Sequence, residues 1–108
     1  MEKRQFPRTA YALQAQFRAD GDMIWLPLTV QNLSAGGLRF RAADELDPGR
    51  TLRIKIALTG AQTAMELRGR IVWKQMCAPG VTEHGAEFFD LTEPQQVQID
   101  QLVQFLQQ

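Results

Sequence analysis

The feature that most constrains this chain is a hydrophobic period of two that restarts along its length and then stops. Leu52, Ile54, Ile56 and Leu58 alternate with Arg53, Lys55 and Ala57, which describes a strand with one buried and one solvated face. Leu13, Ala15 and Phe17 alternate in the same way with Gln14, Gln16 and Arg18, and Leu38 and Phe40 with Arg39 and Arg41. A further strand is expected from about Met23 to Gln31, with Leu26, Leu28 and Val30 on one face; Pro27 inside it calls for an edge position or a bulge. Met65 to Lys74 reads as a long strand, with Leu67, Ile71 and Trp73 opposite Glu66, Arg68, Arg70 and Lys74. Cys77 to Glu83 reads as a loop and Gly85 to Phe89 as the last strand. Asp20-Gly21-Asp22, Asp47-Pro48-Gly49 and Thr59-Gly60 supply turns.

The period then changes. Thr92 followed three residues later by Gln95 is a capping-box pattern. Val97, Leu102, Val103 and Leu106 recur near helical spacing behind it. Six short antiparallel strands and one closing helix point to an all-β fold, a six-stranded antiparallel β-barrel with a C-terminal α-helix. The helix is expected to cover an open end or edge of that barrel. The 108 residues suffice for one domain with a modest core. The barrel is expected over 10–90 and the helix over 92–107. Residues 1–9 form a polar arm that Pro7 keeps extended or turned.

Charge narrows the function classes. Twelve Lys+Arg balance twelve Asp+Glu, whereas a protein that coats long nucleic acid needs a broad basic face. Nine of the twelve cations are arginines, which suits planar, bidentate recognition. One cysteine, Cys77, and one histidine, His84, build neither an internal disulfide nor a thiolate metal site, so no metal or cofactor is expected. The N-terminus has no apolar stretch after its charges, and no run approaches the ~18 apolar residues of a membrane span. A soluble, cytoplasmic protein without membrane insertion is the expectation. No catalytic set emerges either. His84 has no evident nucleophile partner, Ser34 lies outside a nucleophile elbow, and Asp20, Asp22, Asp44, Glu45 and Asp47 fall in turns. A binding module is expected rather than an enzyme.

Two short motifs carry the binding chemistry. Arg4-Gln5-Phe6-Pro7-Arg8 places two permanent cations on a segment that resists helix; when extended, they stand up to ~13 Å apart and reach around opposite sides of a compact ligand. Asn32-Leu33-Ser34-Ala35-Gly36-Gly37 follows a strand. The Asn32 amide can accept from the N1/N2 edge of guanine, and the Ser34 hydroxyl can donate to phosphate or lock the loop. Gly36 and Gly37 remove bulk, permit positive φ and let backbone N–H groups approach an anion. Taken singly, the first motif reads as two solvated charges on a terminus, and the second as an ordinary turn. Together they describe a site for a doubly anionic ligand that also carries flat, hydrogen-bonding bases. Trp73 shares a parity with Leu67 and Ile71, which favours the core; at a barrel rim it would instead stack on a purine. Arg39, Arg41, Arg68 and Arg70 read as solvated sheet residues.

With these residues the chain resembles the PilZ domains, bacterial receptors for cyclic di-GMP. Their pattern is R-x-x-x-R, matched by Arg4 and Arg8, followed by [D/N]-x-S-x-x-G, matched by Asn32, Ser34 and Gly37. The resemblance covers essentially the whole chain and implies a six-stranded split barrel with a C-terminal helix. It implies that Arg4 and Arg8 grip phosphates and guanine edges, that Asn32 and Ser34 contact a guanine, and that Gly37 keeps the loop's conformation. Lys3 stands where the family tunes one bound ligand against a stacked pair. Asn32 replaces the Asp of many members, which removes a charge-assisted bond to guanine.

The implied protein is a cyclic di-GMP receptor that orders its arm on the ligand and signals to a downstream protein partner, with motility, exopolysaccharide or virulence as outputs. Its expected state is a monomer or a weak homodimer paired through Ile99 or Phe105. A PilZ-like adaptor that binds protein and no nucleotide is the alternative. A barrel binding single-stranded nucleic acid would need several stacking aromatics and a basic groove.

Overall fold

The computed structural model describes residues 13–58 and 64–106, and among these the chain forms six strands and one helix. The strands are β1 (Leu13–Ala19), β2 (Leu26–Leu33), β3 (Gly37–Ala42), β4 (Thr51–Leu58), β5 (Met65–Ala78) and β6 (Val81–Phe89), followed by α1 (Glu93–Leu106). Every ladder is antiparallel, and the sheet closes on itself in the order β1-β2-β3-β6-β5-β4. The six-stranded barrel with a C-terminal helix is therefore the fold.

The period of two fills the barrel. Phe17, Phe40, Leu52, Ile54, Ile56, Leu67 and Ile71 are fully buried, each contributing about 1.5–3 kcal/mol of apolar burial. Phe17 and Phe40 meet near the centre with ring centroids 6.1 Å apart and planes tilted by 39°. Gly21 and Gly49 adopt φ of 95° and 94° in the Asp20–Asp22 and Asp47–Gly49 turns, a backbone region that glycine reaches without steric cost.

The capping box forms as read. Gln95 N donates to Thr92 Oγ1 at 3.2 Å, and Thr92 N donates to Gln95 Oε1 at 2.8 Å. Gln95 Nε2 also donates to the Glu66 carbonyl at 2.8 Å, fixing the helix start to β5. The buried stripe of α1 differs from the one expected. Ile99 is fully buried in the barrel core, with Leu102 and Val103 half-buried beside it at helical spacing. Val97 lies off that stripe and is exposed, as is Phe105. Ile99 closes the core and is not a surface position for pairing.

Four strand limits also shift. β2 starts at Leu26, leaving Met23 and Ile24 exposed, and runs on through Asn32 and Leu33. Pro27 has no free edge to occupy in a closed barrel; it pairs with Gln16 in the shortest ladder, of three residue pairs. The expected loop from Cys77 to Glu83 is a tight hairpin. Ala78 pairs with Val81 around Pro79-Gly80, and Gly80 adopts φ 76°. Residues 75–80 are all exposed, so no alternation marked them as strand. No described helix is long and apolar enough to cross a membrane.

Candidate ligand-binding face

Two register shifts build the site. The β2–β3 ladder slips between Val30 and Asn32, and the β5–β6 ladder slips between Ile71 and Trp73. Each extra residue reverses which face the following side chains occupy. Val30 is buried and Asn32 is exposed; Ile71 is buried and Trp73 is 38% exposed. Parity had placed Trp73 in the core. The bulge at Val72 turns it outward.

Both residues land on one row. Asn32 on β2 pairs with Arg39 on β3, Arg39 pairs with Gly85 on β6, and Gly85 pairs with Trp73 on β5. Three inter-strand steps span about 14 Å. An open depression of about 310 Å³ lies over the row, lined by Asn32, Ser34, Gly37, Arg39, Trp73 and Gly85 among others.

The turn at one edge of the depression is shorter than the expected Asn32–Gly37 loop, because Asn32 and Leu33 belong to β2 and Gly37 opens β3. Ser34 N donates to the Gly37 carbonyl at 2.9 Å, and Ser34 Oγ donates to the same oxygen at 3.3 Å, so the hydroxyl locks the turn. Phe88 N donates to the Gly36 carbonyl at 2.9 Å and ties the turn to β6. Neither Gly36 nor Gly37 adopts positive φ, contrary to the sequence reading. Gly37 is required by close approach instead: a Cβ there would stand 2.3 Å from the Ala86 carbonyl oxygen. At Gly36 a Cβ would meet open space.

Gly85 plays the matching part at the other edge. The pyrrole side of the Trp73 indole fills the volume that a Cβ on Gly85 would occupy. By sequence Gly85 only starts a strand; a glycine inside a strand also signals close approach of a neighbour. Arg39, by parity a solvated sheet residue, lies within the row. Its Nε is 3.7 Å from Glu83 Oε2, and the Nε of Arg41 is equally 3.7 Å from that oxygen. These separations exceed hydrogen-bond length, so Glu83 attracts the two guanidinium groups without occupying their forks.

Beneath the row, His84 is fully buried and stacks on Phe40 with centroids 4.9 Å apart. Its Nε2 accepts from Leu46 N at 3.0 Å, which puts the proton of the neutral ring on Nδ1. Burial pushes the imidazole pKa below its ordinary value, and the Lys74 ammonium adds to that push. Lys74 in turn holds Asp47 by a hydrogen bond and Glu45 at 3.3 Å. His84 and Lys74 thus pin the 43–50 connection. His84 is structural and apart from the depression.

Lys3, Arg4 and Arg8 lie outside the described residues. The described chain begins at Leu13. β1 is antiparallel to β2, so Leu13 starts at the barrel end where β2 finishes and the Ser34 turn begins. Arg8 precedes Leu13 by five residues, a reach of up to ~17 Å.

Comparison with known proteins agrees with this architecture. The PilZ domain family matches residues 2–106. The PilZ domain of CeSA from a cellulose synthesizing bacterium superposes with a TM-score of 0.65 at 17% identity, over 90% of this chain and 94% of that one. The Bacillus subtilis inhibitor of motility (MotI/DgrA) superposes with a TM-score of 0.64 at 22% identity. That match takes in 98% of this chain but only 50% of the longer protein. Both likenesses establish the fold. No curated protein matches the chain.

Proposed function

The chain belongs to the PilZ domain family, and from that premise we infer that it is a cyclic di-GMP receptor that passes the signal to a protein partner. PilZ domains are generally receptors for this messenger and act by binding rather than catalysis. The observation that carries the reading is the convergence of Asn32, Ser34 and Trp73 on one open depression, although two bulges separate them from their expected parity. An amide, an aromatic ring and a glycine-bordered turn suit a purine that must be both stacked and hydrogen-bonded. In this reading Arg4 and Arg8 close over the ligand's phosphates and guanine edges, with Lys3 beside them. The short reach from Leu13 to Arg8 supports that closure. Ordering the arm against the ligand builds a new surface, and this surface is what a partner in motility, exopolysaccharide or virulence control would read. Calorimetric titration with cyclic di-GMP, run on the wild type beside Arg4→Ala and Arg8→Ala, tests the reading.

A further inference from the structure

We propose that Arg39 is a base-reading residue of this face, taking the O6/N7 edge of a guanine stacked on Trp73. The assignment rests on the receptor reading above and extends it to a residue outside both sequence motifs.

Position is the first support. Arg39 stands between Asn32 and Gly85 in the cross-strand row, and the Trp73 indole overlies Gly85. Because Gly85 has no side chain, nothing from β6 stands between Arg39 and the indole in that row. One strand spacing, about 4.8 Å, therefore separates Arg39 from the residue the indole covers. A base on the ring presents its edge within reach of a long side chain.

Availability is the second. The Arg39 side chain is 52% exposed, and among the described residues its one ion pair is the loose 3.7 Å approach to Glu83, so binding a ligand breaks no hydrogen bond to that carboxylate. Chemistry is the third. A guanidinium fork matches two acceptors side by side, which guanine offers as O6 and N7, while adenine replaces O6 with an amino donor.

Arg41 is a built-in control. It makes the same 3.7 Å approach to the same Glu83 oxygen. Its register partners are Thr29 and Glu83, two residue pairs along the ladder from the row of Trp73, and it does not line the depression. A general effect of positive charge acts on both arginines; base reading acts on Arg39 alone.

The test is calorimetric titration of the wild type, Arg39→Ala, Arg39→Lys and Arg41→Ala with cyclic di-GMP and with cyclic di-AMP, each variant first checked for an unchanged melting curve. Arg39→Ala is expected to weaken cyclic di-GMP binding by roughly 10-fold or more, the scale of one bidentate base contact. Lysine should not restore it, Arg41→Ala should stay within about twofold of the wild type, and the preference for cyclic di-GMP over cyclic di-AMP should narrow in Arg39→Ala. Equal losses in Arg39→Ala and Arg41→Ala, full rescue by lysine, or an unchanged Arg39→Ala overturn the assignment while wild-type binding preserves the receptor reading. A wild type that binds neither ligand removes both.

Discussion

A side chain at Gly85 would collide with the indole of Trp73: its Cβ would lie 2.0 Å from Nε1. The glycine therefore sets the pose of the one aromatic that lines the candidate face among the described residues. Gly85→Ala should displace the ring while leaving the barrel folded, because the obstacle is a side chain with exposed space beside it. In a Trp25→Phe background, the emission of Trp73 should change on this substitution. Cyclic di-GMP affinity should fall toward that of Trp73→Ala, a loss of ~1–3 kcal/mol for one stacking platform. An unaltered emission spectrum with unaltered affinity would show that Gly85 does not set the ring.

Gly36 and Gly37 are neighbours with opposite tolerances. At Gly37 the clash is with backbone, the Ala86 carbonyl, which cannot turn aside without opening the β3–β6 ladder. Gly37→Ala should lower unfolding free energy by about 1–3 kcal/mol or more, as overpacking does. Gly36→Ala should stay within about 0.5 kcal/mol. Urea denaturation of the two variants side by side checks the contrast. Equal stabilities would mean that the turn relaxes freely.

Acid should weaken the fold in two separate windows. His84 has a lowered pKa, so as pH falls below its ordinary 6.5 the unfolded chain takes the proton first and stability drops. Asp20 and Asp47 are also lowered, chiefly by hydrogen bonds from Thr51 and Lys74. Their contributions persist above the ordinary carboxylate value of 3.8 and disappear below it. Denaturation curves between pH 7.5 and 3 should show both declines. His84→Gln, whose amide can still accept from Leu46 N, should lack the upper one. A wild type equally stable at pH 7 and pH 5 would contradict the role given to His84.

Much of this architecture was legible in the chain. The alternation of Leu52, Ile54 and Ile56 marked β4, Thr92 and Gln95 marked the helix start, and the spacing of Asn32, Ser34 and Gly37 pointed to the turn at the site. The failures share a physical cause. A period of two carries side chains to the correct face only while the register is unbroken, and bulges at Gln31 and Val72 break it. Parity therefore points Trp73 to the core, and Arg39 and Gly85 carry no sign that they stand beside it, since pairing between distant strands leaves no mark in local sequence. Ile99 falls outside the expected stripe only because Val97 is counted into it; Ile99, Leu102 and Val103 stand at i, i+3 and i+4 on one face, and Val97 lies off that face.

The decisive measurement is calorimetric titration of the full chain with cyclic di-GMP, wild type against Arg4→Ala and Arg8→Ala. The wild type should bind, and each substitution should cost at least ~1.5–3 kcal/mol, the scale of a charged hydrogen bond. The stoichiometry decides between a single ligand and the stacked pair that Lys3 would favour. A wild type without binding heat, or affinity unchanged by both substitutions, would contradict a receptor that closes two arginines over its ligand.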